Sequence, residues 1–180
     1  METSALCLTT TPPSRTLRRD LALVLGGVAL LTISARISLP IGAVPISAQT
    51  LGVLLLGAML GARRSAASVL GYLTAGAAGL PVFVGGGGLP YLLGPTGGYL
   101  WGFLPAAWLA GEFAGRGWMQ SPTRCLPALI LADALLFAFG LAWLALYVPP
   151  RAILAAGLWP ILPGEVLKIT IAATLLTRRR

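Results

Sequence analysis

The sequence predicts an all-α integral membrane protein with six transmembrane helices. Two observations carry this prediction. Hydrophobic residues make up 57% of the chain and charged residues only 10%, whereas a soluble domain carries about 25% charged residues. The arginines lie in short clusters between six apolar runs, which is the usual signal of membrane topology. The net charge of +8 does not come from one basic face, so we predict contact with a lipid bilayer and none with nucleic acid.

The N-terminal segment 1–19 is predicted to be disordered and cytoplasmic, because it is polar and rich in threonine and proline. The first apolar run, 21–37, follows directly after Arg18-Arg19-Asp20. This junction also resembles a twin-arginine or secretory signal. No small-residue cleavage site follows it cleanly, and five further apolar runs come later. We therefore interpret the arginines as the cytoplasmic anchor of the first span.

The remaining spans are predicted at 48–62, 65–80, 98–114, 126–148 and 163–177. They complete a transmembrane domain over 20–177, and the basic tail 178–180 ends the chain. The second span is short. A helix of about 15 residues rises only about 22 Å, whereas the hydrocarbon core is about 30 Å thick. We therefore expect the second span to begin inside a cavity.

The arginines also predict the orientation of the bundle. The outer connectors contain only Arg151, with Arg36 at the end of the first span. Because positive charge accumulates on the cytoplasmic side, we expect a multi-pass protein of the cell membrane with both termini in the cytoplasm. The arginines assigned to the cytoplasmic side are Arg15, Arg18, Arg19, Arg63, Arg64, Arg116, Arg124 and the last three residues.

The connector after the third span is a glycine-rich stretch at 80–102 without any charged residue. Its glycines and prolines are unsuited to a continuous helix, yet it is too apolar for an ordinary solvated loop. Irregular backbone at membrane depth is tolerated where it is buried in protein or lines a cavity. We predict that this stretch covers an outward-facing ligand cavity. The alternative is a plain apolar connector between two helices.

Glu165 and Lys168 are the strongest candidates for a binding site. Ionisable residues inside a membrane are costly to bury and usually functional, and three-residue spacing places both on one helix face. Pro163 suits the first helical turn, where unpaired backbone N–H groups are available. One acceptor beside one donor suits a neutral polar group such as a urea. The alternative is an ion pair that is mutually satisfied and only positions the helix.

Four other polar residues lie in or near the spans. Arg36 ends the first span and can contact either a ligand carboxylate or lipid headgroups. Gln49 begins the second span, and a buried amide there needs a partner, either a ligand or loop backbone. Asp133 and Glu112 lie toward the cytoplasmic halves of their helices, where we interpret them as structural or partner contacts.

Several function classes are excluded by what the sequence lacks. No Lys-Ser or Lys-Thr follows the glycines, so the chain has no phosphate-binding P-loop. It has no histidine and no clustered carboxylates, which excludes the common metal and phosphoryl-transfer sites. It also lacks a Gly-x-Ser-x-Gly nucleophile motif. We therefore expect a protein that is not an enzyme and needs no cofactor or metal.

Several motifs in the chain occur in the order typical of one family. They are ARISLP (35–40), VPISAQTLG (44–52), GLPVF (79–83), the glycine run, GPTGGYL (94–100) and LPGEVLK (162–168). From residue 21 to residue 176 the sequence resembles the BioY family, the biotin-binding S components of energy-coupling factor (ECF) transporters. The resemblance implies a six-helix S-component bundle with biotin in an outward-facing cavity. It also implies partnership with a transmembrane coupling subunit and two cytoplasmic ATPase subunits.

The resemblance assigns the biotin ring head to Glu165 and Lys168, with Glu where the family more often has Asp. Where some members have Asn among the glycines this chain has only glycine, which leaves backbone contacts from Gly86 and Gly87. Leu100 stands where some members have Arg, so Arg36 becomes the candidate for the carboxylate end of biotin. The apolar part of the head is expected among aromatic residues, namely Phe83, Tyr91, Tyr99 and Trp159.

Biotin capture and uptake is thus the leading prediction. One alternative is an S component or solitary permease for another small vitamin. A second is an intramembrane enzyme acting on lipid, for which no catalytic constellation is visible. A third is a purely structural membrane subunit. Competition between ligands would identify the transporter of another vitamin, and turnover of a lipid would identify the enzyme. The absence of any tightly bound small ligand would favour the structural subunit.

Overall fold

The computed structural model describes residues 13–39 and 44–178. Predictions that concern residues 1–12, 40–43 and 179–180 lie outside the described part of the chain.

The described chain is predominantly helical, as predicted, with one small hairpin added. The 3-10 turns Trp118–Gln120 and Pro150–Ala152 precede α6 and α7. The named elements, in chain order, are α1 (Pro13–Arg36), β1 (Ser38–Leu39), β2 (Ile46–Ser47), α2 (Gln49–Leu60), α3 (Ala62–Ala77), α4 (Leu89–Leu92), α5 (Gly97–Gly115), α6 (Pro122–Leu144), α7 (Ile153–Gly157) and α8 (Leu162–Thr177).

The first helix is longer than the first apolar run. It begins at Pro13 and ends at Arg36, so it includes residues 13–19 of the segment for which disorder was predicted. Proline is well tolerated in a first helical turn, because the N–H that it lacks would have no helical partner there. The arginines at positions 18 and 19 therefore lie within α1 and do not precede it.

The other predicted spans correspond to α2, α3, α5, α6 and α8 within a few residues. By length and apolar composition, one described helix suffices to cross a membrane, namely α6. The segment Pro150–Gly157 and α8 also qualify when taken together, with a bend of 44° between them. The apolar helix α2 is shorter than a span requires, in line with its expected start inside a cavity.

Helix α5 lies at the centre and packs against α2, α3 and α6. Small residues allow its close approach to α2 and to the start of α3. A Cβ added to Gly57 would lie 2.5 Å from the carbonyl oxygen of Ala107, and one added to Gly111 would lie 2.5 Å from Cα of Ala62. Two hydrophobic clusters follow each other along the bundle, one around Tyr72, Tyr99 and Leu136 and one around Phe113, Leu129 and Ala172.

Two connectors fold over the first of these clusters. Strands β1 and β2 form an antiparallel hairpin that pairs Ser38 with Ser47. Residues 79–88, which we call the glycine-rich loop, form a compact turn closed by a bridge between Phe83 and Gly86. Gly86 has a φ of 126° and Gly88 a φ of 100°, a region that only glycine adopts readily. The second half of the stretch predicted as irregular is helical, since α4 and α5 cover most of it.

Candidate functional site

A cavity of about 460 Å³, including its open mouth, lies between the hairpin, the start of α2, α5, α6 and the start of α8. Most of its wall is apolar, and Glu165, Gln49 and Thr50 supply polar groups. Its apolar lining includes Val84, Tyr91, Tyr99, Phe103, Phe137 and Ile161.

Glu165 is the buried charged group of this wall, with an exposed fraction of 2%. It lies in the first turn of α8. Its Oε1 accepts hydrogen bonds from Lys168 Nζ at 2.6 Å and from Thr50 Oγ1 at 3.0 Å. Its Oε2 is buried and has no hydrogen-bond partner among the described residues. Because leaving a buried acceptor unpaired is unfavourable, this oxygen is suited to a ligand donor.

Lys168 lies behind the cavity wall and does not line it. Its ammonium group donates to Glu165, to Thr50 Oγ1 at 3.1 Å and to the carbonyl oxygen of Ser47. All three of its protons therefore have acceptors within the protein. The predicted ion pair is present. Every proton of the Lys168 ammonium group has an acceptor, but only one of the two carboxylate oxygens of Glu165 accepts a hydrogen bond within the described residues.

Gln49 lines the cavity with an exposed fraction of 3%. Its Nε2 donates to the hydroxyl of Tyr72 at 2.6 Å, and its Oε1 accepts from Ser47 Oγ at 3.1 Å. The tyrosine hydroxyl donates in turn to the carbonyl oxygen of Val82 at 3.1 Å. The sequence predicted a ligand or loop backbone as the amide's partner. In the structure the direct partners are two side chains, and Tyr72 links them to the loop backbone.

Two of the predicted aromatic residues, Tyr91 and Tyr99, line the cavity. The hydroxyl of Tyr99 donates to the carbonyl oxygen of Gly157 at 2.9 Å, which fixes its ring against α7. Phe83 is fully buried and does not line the cavity. Its ring occupies the space left by the missing side chain of Gly76 and stacks on Tyr91 at 5.2 Å. Phe83 therefore supports the wall from behind.

The other predicted site residues also lie outside the cavity lining. Arg36 is exposed and donates to the carbonyl oxygen of Pro81. Trp159 has an exposed fraction of 61%, and the nearby Ile161 lines the cavity instead. Within the glycine-rich loop the lining residue is Val84, not Gly86 or Gly87. Gly86 adopts the backbone turn, while Gly87 packs against the backbone of residue 80.

Several residues at the cavity were not predicted from the sequence. Thr50 had a detectable signal, since its hydroxyl follows Gln49 at the start of a helix expected to begin in a cavity. Tyr72 also had one, because it places a polar group in the middle of an apolar span. No sequence signal distinguishes Phe103 and Phe137 as lining residues, because apolar side chains occur at nearly every position of their helices.

Asp133 and Glu112 differ in their surroundings. Asp133 has an exposed fraction of 6%, and its Oδ1 has no hydrogen-bond partner in the described part of the chain. It lies one turn before Phe137 on α6 and interacts electrostatically with Glu165 and Lys168. Glu112 lines a separate open groove. No three histidine, cysteine or acidic side chains within residues 13–39 and 44–178 are grouped as metal ligands.

Comparison with known proteins agrees with this architecture. The probable biotin transporter BioY of Pyrococcus horikoshii is 35% identical over 161 residues, which are 89% of this chain and 95% of the relative. The biotin transporter BioY of Rhizobium etli is 40% identical over 148 residues, which are 77% of this chain and 79% of the relative.

A solved structure is also similar. The crystal structure of the S-component for biotin from an ECF-type ABC transporter superposes with a TM-score of 0.81 at 25% identity, covering 93% of this chain and 94% of the solved one. The model of the BioY family matches residues 6–180. With nearly its whole length matched, and with the predicted motifs built around one cavity, the chain belongs to the BioY family.

Proposed function

We propose that the protein captures biotin and serves its uptake across the cell membrane as the S component of an ECF-type transporter. The observation that carries this proposal is the unpaired Oε2 of Glu165 in a largely apolar cavity. The two relatives described above are named as biotin transporters. The similar solved structure is named as the S-component for biotin of such a transporter.

The chemistry of biotin matches the cavity. Its bicyclic head is mostly apolar, and its urea edge carries N–H donors and a carbonyl acceptor. A urea N–H donates to Oε2 of Glu165, while the rings of Tyr91, Tyr99 and Phe103 surround the apolar part. Sites of this kind combine apolar walls with a few placed polar groups. In this arrangement Lys168 holds the glutamate in position, and it offers a proton to the urea carbonyl only by releasing one of its present acceptors.

The carboxylate end of biotin is assigned to the mouth of the cavity. Arg36 remains its predicted partner, because it lies at the end of α1 beside the glycine-rich loop. To reach the carboxylate it exchanges the carbonyl of Pro81 for a charged acceptor, which forms a stronger hydrogen bond. Backbone contacts from Gly86 and Gly87 and a contact from Trp159 require a movement of the outer segments, so they are not part of the core of this proposed site.

The proposed placement in the membrane has six spans, an outward-facing cavity and both termini in the cytoplasm. The distribution of arginines along the sequence supports this orientation, and the close structural similarity to an S-component supports the bundle. The proposed partners are a transmembrane coupling subunit and two cytoplasmic ATPase subunits. The ECF-type ABC transporter named with the similar structure supports this assignment.

The experiment that tests the function is equilibrium binding of biotin to the purified protein in detergent, with desthiobiotin and thiamine as comparison ligands. We expect saturable biotin binding in the nanomolar range, equivalent to about −12 kcal/mol, and no binding of thiamine. Binding of thiamine in preference to biotin would identify a different vitamin. Folded protein without saturable biotin binding would contradict the proposal.

A further inference from the structure

Tyr72 lies outside the cavity lining but connects two parts of it. It is fully buried on α3. Its hydroxyl accepts a hydrogen bond from the Gln49 amide at 2.6 Å and donates one to the carbonyl oxygen of Val82 at 3.1 Å. The first partner lines the cavity, and the second belongs to the glycine-rich loop, whose Val84 lines the cavity as well. One hydroxyl therefore joins a wall of the cavity to the segment that covers it.

The same hydroxyl belongs to a longer chain of hydrogen bonds that begins at Glu165. Lys168 donates to Glu165 and to the carbonyl oxygen of Ser47. The hydroxyl of that serine donates to Gln49 at 3.1 Å, and the glutamine donates to Tyr72. A ligand that draws Lys168 away from the hairpin thus acts on the partner of Gln49, and through it on the glycine-rich loop.

A second connection runs through aromatic rings. The ring of Tyr72 meets Phe83 edge to face at 5.3 Å, and Phe83 stacks on the cavity-lining Tyr91 at 5.2 Å. The loop is fixed to the end of α3 at this point, because the N–H of Gly88 donates to the carbonyl oxygen of Gly76 at 2.7 Å. Ring packing therefore holds Phe83 in place, whereas the hydroxyl of Tyr72 fixes the backbone next to it.

We propose that Tyr72 is a positioning residue for the bound ligand. Its hydroxyl orients the Gln49 amide and holds the glycine-rich loop against the cavity, and this slows the escape of biotin. The proposal rests on biotin capture as the proposed function. It assigns to Tyr72 a role in the dissociation rate without any contact between Tyr72 and biotin.

The substitution Tyr72→Phe isolates the hydroxyl. Phenylalanine fills the same space and keeps the edge-to-face contact with Phe83, but it removes both hydrogen bonds. The Gln49 amide and the carbonyl of Val82 then lose a buried partner, which favours conformations in which both turn toward water. We expect biotin to dissociate about tenfold faster, since two hydrogen bonds of ordinary strength are lost, with little change in the association rate.

A matched control is Tyr147→Phe. The hydroxyl of Tyr147 also donates to a backbone carbonyl, that of Leu93, but this tyrosine is exposed and lies outside the cavity lining. The rates of biotin association and dissociation are measured by a chase experiment on purified proteins, and amide hydrogen exchange is followed for residues 79–88 without ligand. We expect faster exchange of this loop in Tyr72→Phe and unchanged exchange and dissociation in Tyr147→Phe.

The substitution Gln49→Glu distinguishes positioning by the hydroxyl from a general loss of packing. A carboxylate at position 49 accepts but does not donate, so it attracts the tyrosine proton away from Val82. Exchange of residues 79–88 is then expected to accelerate in Gln49→Glu, with no further acceleration when Tyr72→Phe is added. Independent structural damage would instead make the two effects additive, which would overturn the proposal.

The outcomes separate this inference from the proposed function. If the wild-type protein binds biotin and Tyr72→Phe leaves dissociation and loop exchange unchanged, the inference is wrong while biotin capture stands. If the wild-type protein binds no biotin, the proposed function fails and the inference fails with it. If Tyr72→Phe does not fold, unchanged loop exchange in Gln49→Glu alone overturns the inference, and accelerated exchange supports it.

Discussion

The ammonium of Lys168 lies 2.6 Å from Oε1 of Glu165, so the ion pair uses only one of the two carboxylate oxygens. The other oxygen, Oε2, is buried beside the cavity and unpaired within the described residues. From the sequence, ligand binding was predicted for both residues, but in this arrangement they have different roles. The lysine fixes the carboxylate, and the carboxylate offers the acceptor. The two residues therefore differ in how their substitutions affect stability and binding.

The substitution Glu165→Gln is expected to weaken biotin binding about 10- to 100-fold, because a hydrogen bond to a charged group contributes about 1.5–3 kcal/mol. Glu165→Ala should have at least as large an effect, and membrane insertion should be unchanged in both. Equilibrium binding to the purified variants measures the change. Glu165→Asp keeps the carboxylate and serves as the control, with an affinity within about tenfold of wild type. Near-normal affinity in Glu165→Gln would refute the site.

The substitution Lys168→Met is expected to lower both stability and affinity. It keeps the apolar stem but leaves the carboxylate of Glu165 buried without its partner, which typically destabilises by about 3 kcal/mol. Thermal unfolding in detergent and biotin binding are the two measurements. In the double variant with Glu165→Gln the stability should largely return, whereas the affinity should stay low. A double variant as unstable as Lys168→Met would argue against the ion pair as the cause.

The substitution Asp133→Leu is expected to raise the thermal unfolding temperature. One carboxylate oxygen of Asp133 is buried without a hydrogen-bond partner in the described structure, and replacing such a group by an apolar side chain removes an unfavourable term. Biotin affinity should change by less than about threefold, since hydrogen bonds and not long-range charge carry most of the binding. Lower stability together with lost binding would show that the carboxyl group has a functional partner.

The substitution Gly76→Ala is expected to weaken biotin binding through the aromatic stack. An added Cβ would lie 2.5 Å from Cε1 of Phe83 and closer to two further ring atoms, so it displaces the ring on which Tyr91 stacks. The control is Gly26→Ala, since a Cβ there meets nothing within 4 Å and alanine favours the helix by up to about 1 kcal/mol. The thermal unfolding temperature and the biotin affinity should fall in Gly76→Ala and not in Gly26→Ala. A stabilised Gly76→Ala with normal affinity would contradict the role of Phe83.

The sequence predicts the helices well, because apolar runs and their glycine or proline boundaries are strong signals. It did not predict the hairpin, since strands of two residues, Ser38–Leu39 and Ile46–Ser47, have no detectable periodicity. The start of α1 was also placed too late, because a polar helical turn before an apolar run resembles a disordered tail. In both cases the local signal was shorter or weaker than the structural element.

The candidate site was predictable where residues were rare. Glu165 and Lys168 are conspicuous in an apolar chain, and the structure brings them together at the cavity. Aromatic residues were harder to assign, because a ring toward lipid and a ring toward a cavity are equally apolar in sequence. All four aromatic residues were therefore expected around one ligand, but Trp159 is exposed and Phe83 lies behind the wall, whereas Tyr91 and Tyr99 line the cavity. Only the three-dimensional fold distinguishes these environments.

The threefold attachment of Lys168 to Glu165, Thr50 and Ser47 also affects the entropy of binding. A free lysine side chain carries about 2 kcal/mol of rotamer entropy, and here that freedom is already lost in the folded protein before any ligand arrives. A preorganised site of this kind avoids a conformational penalty at the moment of association. The charged group of the cavity wall is accordingly held in place before binding, and we expect a ligand to be selected by how well its polar edge fits an arrangement that exists in its absence.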